Sequence, residues 1–252
     1  MKPVLILICL LAVFGSSCKK KKNKEEEPDR IVMNVQPYFG ENMVQLDSVY
    51  TTPEGYLIKF TDIKFYISGI RSGTSWTQDA ALFDYRERGT QLLERLQGSF
   101  QPGGIVFKTG VNAENNHKDP SAFPNNHVLN ILTANDMHWG WNPGYIFIKI
   151  EAKADTITDN VQVFDLPVNY HIGKDVNLRE FSAENAVWKV VQENGQQKKY
   201  SLELKLDLEK LFYRPGFEID LRTENKSHTD PGQELLSSKI ADNFVYSLSV
   251  IP

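Results

Sequence analysis

Ser201-Leu202-Glu203-Leu204-Lys205-Leu206-Asp207-Leu208 alternates without a break. The four leucines fall on one side of an extended chain, and Ser201, Glu203, Lys205 and Asp207 fall on the other. A period of two with one apolar face marks a strand half-buried in an antiparallel sheet. Residues 145–151 (YIFIKIE) repeat the pattern, with Ile146, Ile148 and Ile150 on the apolar side. Working outward, residues 31–38, 56–70, 104–109, 161–166, 187–192 and 244–251 also read as strands. Turn-forming Pro53-Glu54-Gly55, Pro102-Gly103-Gly104 and Asn194-Gly195 punctuate them. Helices are few. Residues 90–96 allow one or two turns, and Asp230-Pro231 reads as an N-cap with proline at the first helical position, opening a helix to about residue 242. Many short strands separated by turns predict an all-β fold: a single antiparallel sandwich- or barrel-like domain with one or two short helices.

The N-terminus has a different character. Lys2 precedes an unbroken apolar run over residues 4–14 (VLILICLLAVF), then Gly15-Ser16-Ser17 and Cys18. A charged start, a short apolar segment and a small-residue exit describe a secretory signal peptide over residues 1–17. The run is shorter than the roughly 20 residues needed to span a bilayer. Ser16-Ser17-Cys18 resembles a bacterial lipobox, with Gly15 standing where leucine is usual. That resemblance implies lipid attachment at Cys18. Its palmitate-type chains would hold the protein to a membrane, each buried CH₂ contributing about 0.8 kcal/mol. Residues 19–30 (KKKKNKEEEPDR) hold no hydrophobic residue and predict a flexible charged tether over 18–30. The folded domain is then expected over 31–252, in the envelope of a Gram-negative bacterium, on the outer membrane and facing either periplasm or surface.

Composition excludes several chemistries. The two cysteines are Cys9, inside the signal, and Cys18. A mature domain without another thiol has no disulfide, no zinc–thiolate site and no cysteine nucleophile. From Ile31 onward, 21 basic residues stand against 28 acidic ones, a formal charge of −7. A mildly acidic domain is a poor partner for phosphate backbones, so nucleic acid is not expected. No G-x-S-x-G, H-E-x-x-H, P-loop or G-x-G-x-x-G occurs. An enzyme is accordingly not expected.

One cluster carries possible chemistry. Residues 137–145 read Met-His-Trp-Gly-Trp-Asn-Pro-Gly-Tyr, directly before the strand at 146–151. Loops set on a rigid β-scaffold are where binding residues gather. His138 lies inside the cluster and His171 about thirty residues on; one intervening strand, at 161–166, would return the chain so that the imidazoles meet. Imidazole suits copper, zinc, iron and nickel, and thioether suits copper(I), which makes Met137 a possible soft ligand and His228 a further one. The alternative is that both histidines are ordinary loop residues and that Trp139, Trp141 and Tyr145 plug the end of the sheet. The Asn-rich stretch 112–127 lacks the calcium-loop spacing and reads as a solvated loop.

Residues 137–151 resemble the signature block of the MbnP-like family, the methanobactin-associated copper-binding secreted β-proteins. Residues 60–71 (FTDIKFYISGIR), Tyr170-His171-Ile172-Gly173, and His228 with residues 240–244 (IADNF) resemble further blocks of the family in the same order. The resemblance implies a β-sandwich-like domain outside the cytoplasm. It further implies copper held by two histidines and by kynurenine, an oxidised tryptophan produced by a separate di-haem oxidase. His171, His138 and His228 become the ligand candidates, and Trp139 or Trp141 the residue oxidised, with Tyr145 beside them. Against this stands a second class of function: a non-catalytic envelope lipoprotein that binds glycan or protein and no metal.

Overall fold

The protein is described by a computed structural model covering residues 27–73, 76–134, 136–139, 144–159, 161–192 and 197–252. The expected signal peptide, Cys18, most of the expected tether and Trp141 lie outside the described residues. Among the described residues, fourteen strands follow in chain order. The first seven are β1 (Asp29–Phe39), β2 (Asn42–Met43), β3 (Tyr50–Thr51), β4 (Leu57–Ser72), β5 (Trp76–Asp84), β6 (Gln91–Gln97) and β7 (Ile105–Thr109). The remainder are β8 (Ile146–Asp155), β9 (Leu166–Gly173), β10 (Arg179–Ala183), β11 (Lys189–Gln192), β12 (Lys198–Asp207), β13 (Lys226–Ser227) and β14 (Leu248–Val250). The α-helices among the described residues are α1 (Tyr85–Arg88), α2 (Ala113–Asn116), α3 (Leu208–Phe212) and α4 (Glu234–Tyr246).

One sheet runs β11-β12-β1-β2, with β14 on β12 and β6 on β1; the other runs β10-β7-β4-β8-β9-β13, with β3 and β5 on β4. A single apolar cluster joins them, contributed by Ile31, Met33 and Val35 of β1, Leu202, Leu204 and Leu206 of β12, and Ile63, Phe65, Ile148 and Ile150 of β4 and β8. The leucine alternation therefore does what its period requires: those three leucines are buried while Ser201, Glu203 and Lys205 are partly exposed. Burial on this scale is the main force holding the sheets together, at roughly 25 cal/mol per Å² of apolar surface. Leu208 leaves the strand. Asp207 accepts a hydrogen bond from Lys210 N–H and caps α3.

The all-β class holds, and several local expectations do not. The sheets are not purely antiparallel: β1 pairs β12 in parallel, and β13 pairs β9 in parallel. Residues 91–97 form edge strand β6 rather than a helix. Residues 161–165 carry no strand; β9 starts only at Leu166, and Val161 and Val163 are exposed. Residues 244–246 complete α4, leaving only β14 extended. Ser237, Ile240, Ala241 and Phe244 are the buried helical stripe that overrides strand propensity there. The helix begins at Glu234, later than the Asp230-Pro231 signal suggested.

Candidate functional site

β8 differs from β12 in that both its faces are covered: Lys149 is buried along with Ile148 and Ile150. On the face opposite the shared core, cross-strand register sets Lys64 of β4 against Lys149 of β8, and Lys149 against His171 of β9. Asp62 lies opposite Glu151, and Glu151 opposite Asn169. β13 then runs parallel to β9, with Lys226 beside Asn169 and Ser227 beside Tyr170. The next residue, His228, stacks on His171, with ring centroids 4.7 Å apart and planes inclined by 21°. Thr229, at φ 60°, locks this junction. Its Oγ1 accepts from Gly173 N–H at 3.1 Å and donates to the His171 carbonyl at 3.2 Å.

A charge network spreads across the same face. Asp136 accepts from Lys64 at 2.9 Å and also from Lys149. Lys149 lies 3.1 Å from Asp62 and 3.4 Å from Glu151, while Lys64 lies 3.4 Å from Asp84. Glu151 Oε1 reaches His171 Nε2 at 2.9 Å. Burial pulls both lysines toward neutrality, but the facing carboxylates of Asp136 and Asp62 win and hold their pKa values above normal. Burial raises the Asp62 carboxyl against the pull of both lysines. Asp136 is lowered: burial works against ionisation, and the two lysine hydrogen bonds outweigh it. His228 is lowered by burial first and then by repulsion from His171 and Lys226. Its Nε2 is buried with no hydrogen-bond partner among the described residues.

The Trp-block residues divide between two places. The Trp139 backbone N–H donates to the Gly144 carbonyl, and its indole reaches β9 at Gly173. A Cβ on Gly173 would meet Trp139 Cζ3 at 2.6 Å and the Tyr145 carbonyl oxygen at 2.7 Å. Gly173 is two residues beyond His171 in one strand, which puts the indole near the His171 end of β9. His138 goes elsewhere. It bridges to Tyr145, and its ring packs edge-on to the Tyr145 ring at 4.7 Å. Burial lowers its pKa, and Asp119 is the charge acting against that shift. Tyr145 is fully buried, stands edge-on to Tyr66 at 5.6 Å, and donates its hydroxyl to the Leu129 carbonyl. Met137 is fully buried in the apolar cluster. The structure thus brings together His171 and His228 and sets the Trp139 indole against Gly173, two residues along β9, while His138 packs on Tyr145 and Met137 lies in the apolar core.

Asp84 and Asp136 of the network were not singled out from sequence, nor were the strand charges Asp62, Lys64, Lys149 and Glu151. Their signal was present as Asp62-Ile63-Lys64 and Lys149-Ile150-Glu151, charges at every second place in otherwise apolar strands. Only register turns those triplets into facing ion pairs. The Asn-rich stretch is also not simply solvated. Asn115 and Asn116 are buried. Asn115 donates to Asp79, and Asn116 accepts from Tyr145 N–H while donating to Asp175, which ties this loop to the base of the Trp block.

The sequence profile of the MbnP family matches residues 28–230. The solved structure of MbnP from Methylosinus trichosporium is similar to this one with a TM-score of 0.53 at 13% identity, over 83% of this chain and 87% of that chain. At that identity the likeness speaks for the fold. No curated protein matches the chain.

Proposed function

The chain belongs to the MbnP family, and on that premise we propose that it is a copper-binding protein of the cell envelope, held to a membrane through lipid on Cys18. The observation that carries the proposal is the stacked pair His171 and His228, with Nε2 of His228 buried and unpartnered beside it. A buried ring nitrogen without a partner costs about 1–3 kcal/mol unless, in the tautomer that carries the lone pair there, something accepts that pair. A metal ion does so, and two imidazoles are a donor set that copper takes well.

The donors fit the family expectation in part. Among the described residues, no three His, Cys, Asp or Glu side chains are placed to hold one ion. Two imidazoles with a tryptophan-derived third donor is the arrangement expected of the family. Trp139 is the described tryptophan of the block, and it packs at Gly173, two residues from His171. In this reading His138 is a packing residue, because its ring is engaged with Tyr145. The chain's own work is to bind and orient: β13 delivers His228 to His171, Thr229 fixes the junction, and the buried lysine–carboxylate network keeps the face rigid. A di-haem oxidase would be the partner if the tryptophan is modified.

The test is elemental analysis together with intact mass on the mature protein from its native host. Copper near one equivalent is expected, lost in His171→Ala and in His228→Ala and retained in His138→Ala. Equal and weak copper binding by wild type and His171→Ala would sink the proposal and favour a metal-free binding lipoprotein.

A further inference from the structure

Glu151 stands diagonally across β8 and β9 from His171, since Lys149 pairs with His171 and Glu151 with Asn169. Diagonal neighbours on one face are within reach of long side chains. Here the reach is closed, with Oε1 of Glu151 2.9 Å from Nε2 of His171. Lys149 lies 3.4 Å from the same oxygen and fixes the carboxylate from the other side. The contact has only one sense. An ionised carboxylate accepts and never donates, so the hydrogen between them belongs to Nε2. A neutral imidazole with hydrogen on Nε2 carries its lone pair on Nδ1.

We infer that Glu151 is a positioning residue that locks His171 in the Nε2–H tautomer and thereby makes Nδ1 the nitrogen that His171 offers to a metal. The inference rests on the copper-binding reading for its purpose, but the tautomer itself does not depend on it. A carboxylate behind a ligating histidine orients the ring and raises its basicity, and its loss weakens metal binding by roughly 10–100-fold. The same lysine that holds Glu151 also holds Asp136, three residues before Trp139. Lys149 therefore ties the imidazole and the indole-bearing segment to one fixed point.

The experiment uses the full mature protein labelled with ¹⁵N-histidine, free of metal and near neutral pH. Long-range ¹H–¹⁵N correlations report which ring nitrogen carries hydrogen, and the His171 signals are assigned by their disappearance in His171→Gln. The expected result is Nε2–H for His171 in wild type and in Glu151→Gln, which keeps an acceptor oxygen, and a mixture of tautomers in Glu151→Ala. Titration with copper should then give wild-type-like affinity for Glu151→Gln and roughly 10–100-fold weaker binding for Glu151→Ala. Nδ1–H, or a doubly protonated ring, in the wild type overturns the inference. So does a Glu151→Ala protein that binds copper as tightly as wild type. If wild type binds no copper at all, the functional reading fails, while the tautomer spectrum still decides the role of Glu151.

Discussion

Gly173→Ala is the substitution that most directly interrogates the arrangement of the site. An added Cβ would lie 2.6 Å from Trp139 Cζ3, 3.1 Å from Trp139 Cη2 and 2.7 Å from the Tyr145 carbonyl oxygen. Two of these approaches are closer than real Cβ contacts, and the Tyr145 oxygen belongs to backbone that cannot swing aside. Relief must come from moving the indole off β9 or from spreading β8 and β9 where Ile146 pairs with Gly173. Overpacking of this kind costs about 1–3 kcal/mol. In a domain of this size each kcal/mol moves Tm by roughly 2–4 °C, so a fall on the order of 5 °C is expected. Urea unfolding followed by tryptophan emission would read both effects, with a lower midpoint and a red-shifted native spectrum as Trp139 gains water. Gly98→Ala is the control, because a Cβ there meets no atom within 4 Å. It should be neutral or slightly stabilising. If Gly173→Ala matches wild type in both midpoint and native emission, Trp139 does not lie on β9, and its proposed place beside His171 is wrong.

Other outcomes follow from the same geometry. Lys149→Met leaves the buried Asp62 carboxylate short of its nearest cation, 3.1 Å away, and should cost on the order of 3 kcal/mol in chemical denaturation; a change below a few tenths would show the network to be ornamental. Stability should fall as pH rises past 10. Burial raises the phenols of Tyr66, Tyr145 and Tyr170 above the ordinary tyrosine value of about 10. In Lys64 and Lys149, burial is outweighed by carboxylates, which raises both above 10.5. In all five cases the folded state keeps a proton that the unfolded state has released, so the stabilisation is complete below those values and lost above them; equal urea midpoints at pH 8 and at pH 10.5 would contradict this. Cys18→Ala should move the protein from the membrane fraction to the soluble fraction and remove the lipid mass. Unchanged membrane retention would exclude the anchor.

The strands were legible wherever one face alone is buried. Residues 201–207 are the clear case, because a period of two needs no knowledge of a partner. Residues 91–97 misled because QLLERLQ has good intrinsic helix formers. Pairing with β1 overrides that preference, burying Leu92 and leaving Leu96 exposed at the edge. At the C-terminus, residues 244–246 were read as extended because Phe, Val and Tyr favour strands. The helical stripe beginning at Ser237 decides otherwise. His171 and His228 were both visible as donors, but their nearness was not. It comes from a parallel pairing of β13 with β9 across nearly sixty residues of chain.

By itself the sequence determined the all-β class, the scarcity of thiols, with cysteine only at residues 9 and 18, and the family blocks around His171 and Trp139. These are properties of local order: a period, a count, a motif. The tertiary structure decided which histidine joins His171, where the indole rests, and that Asp62, Lys64, Lys149 and Glu151 share one face. Those depend on strand register, and register is set by the burial of whole faces against each other. A shift of a single residue would leave every local pattern intact and would separate His228 from His171.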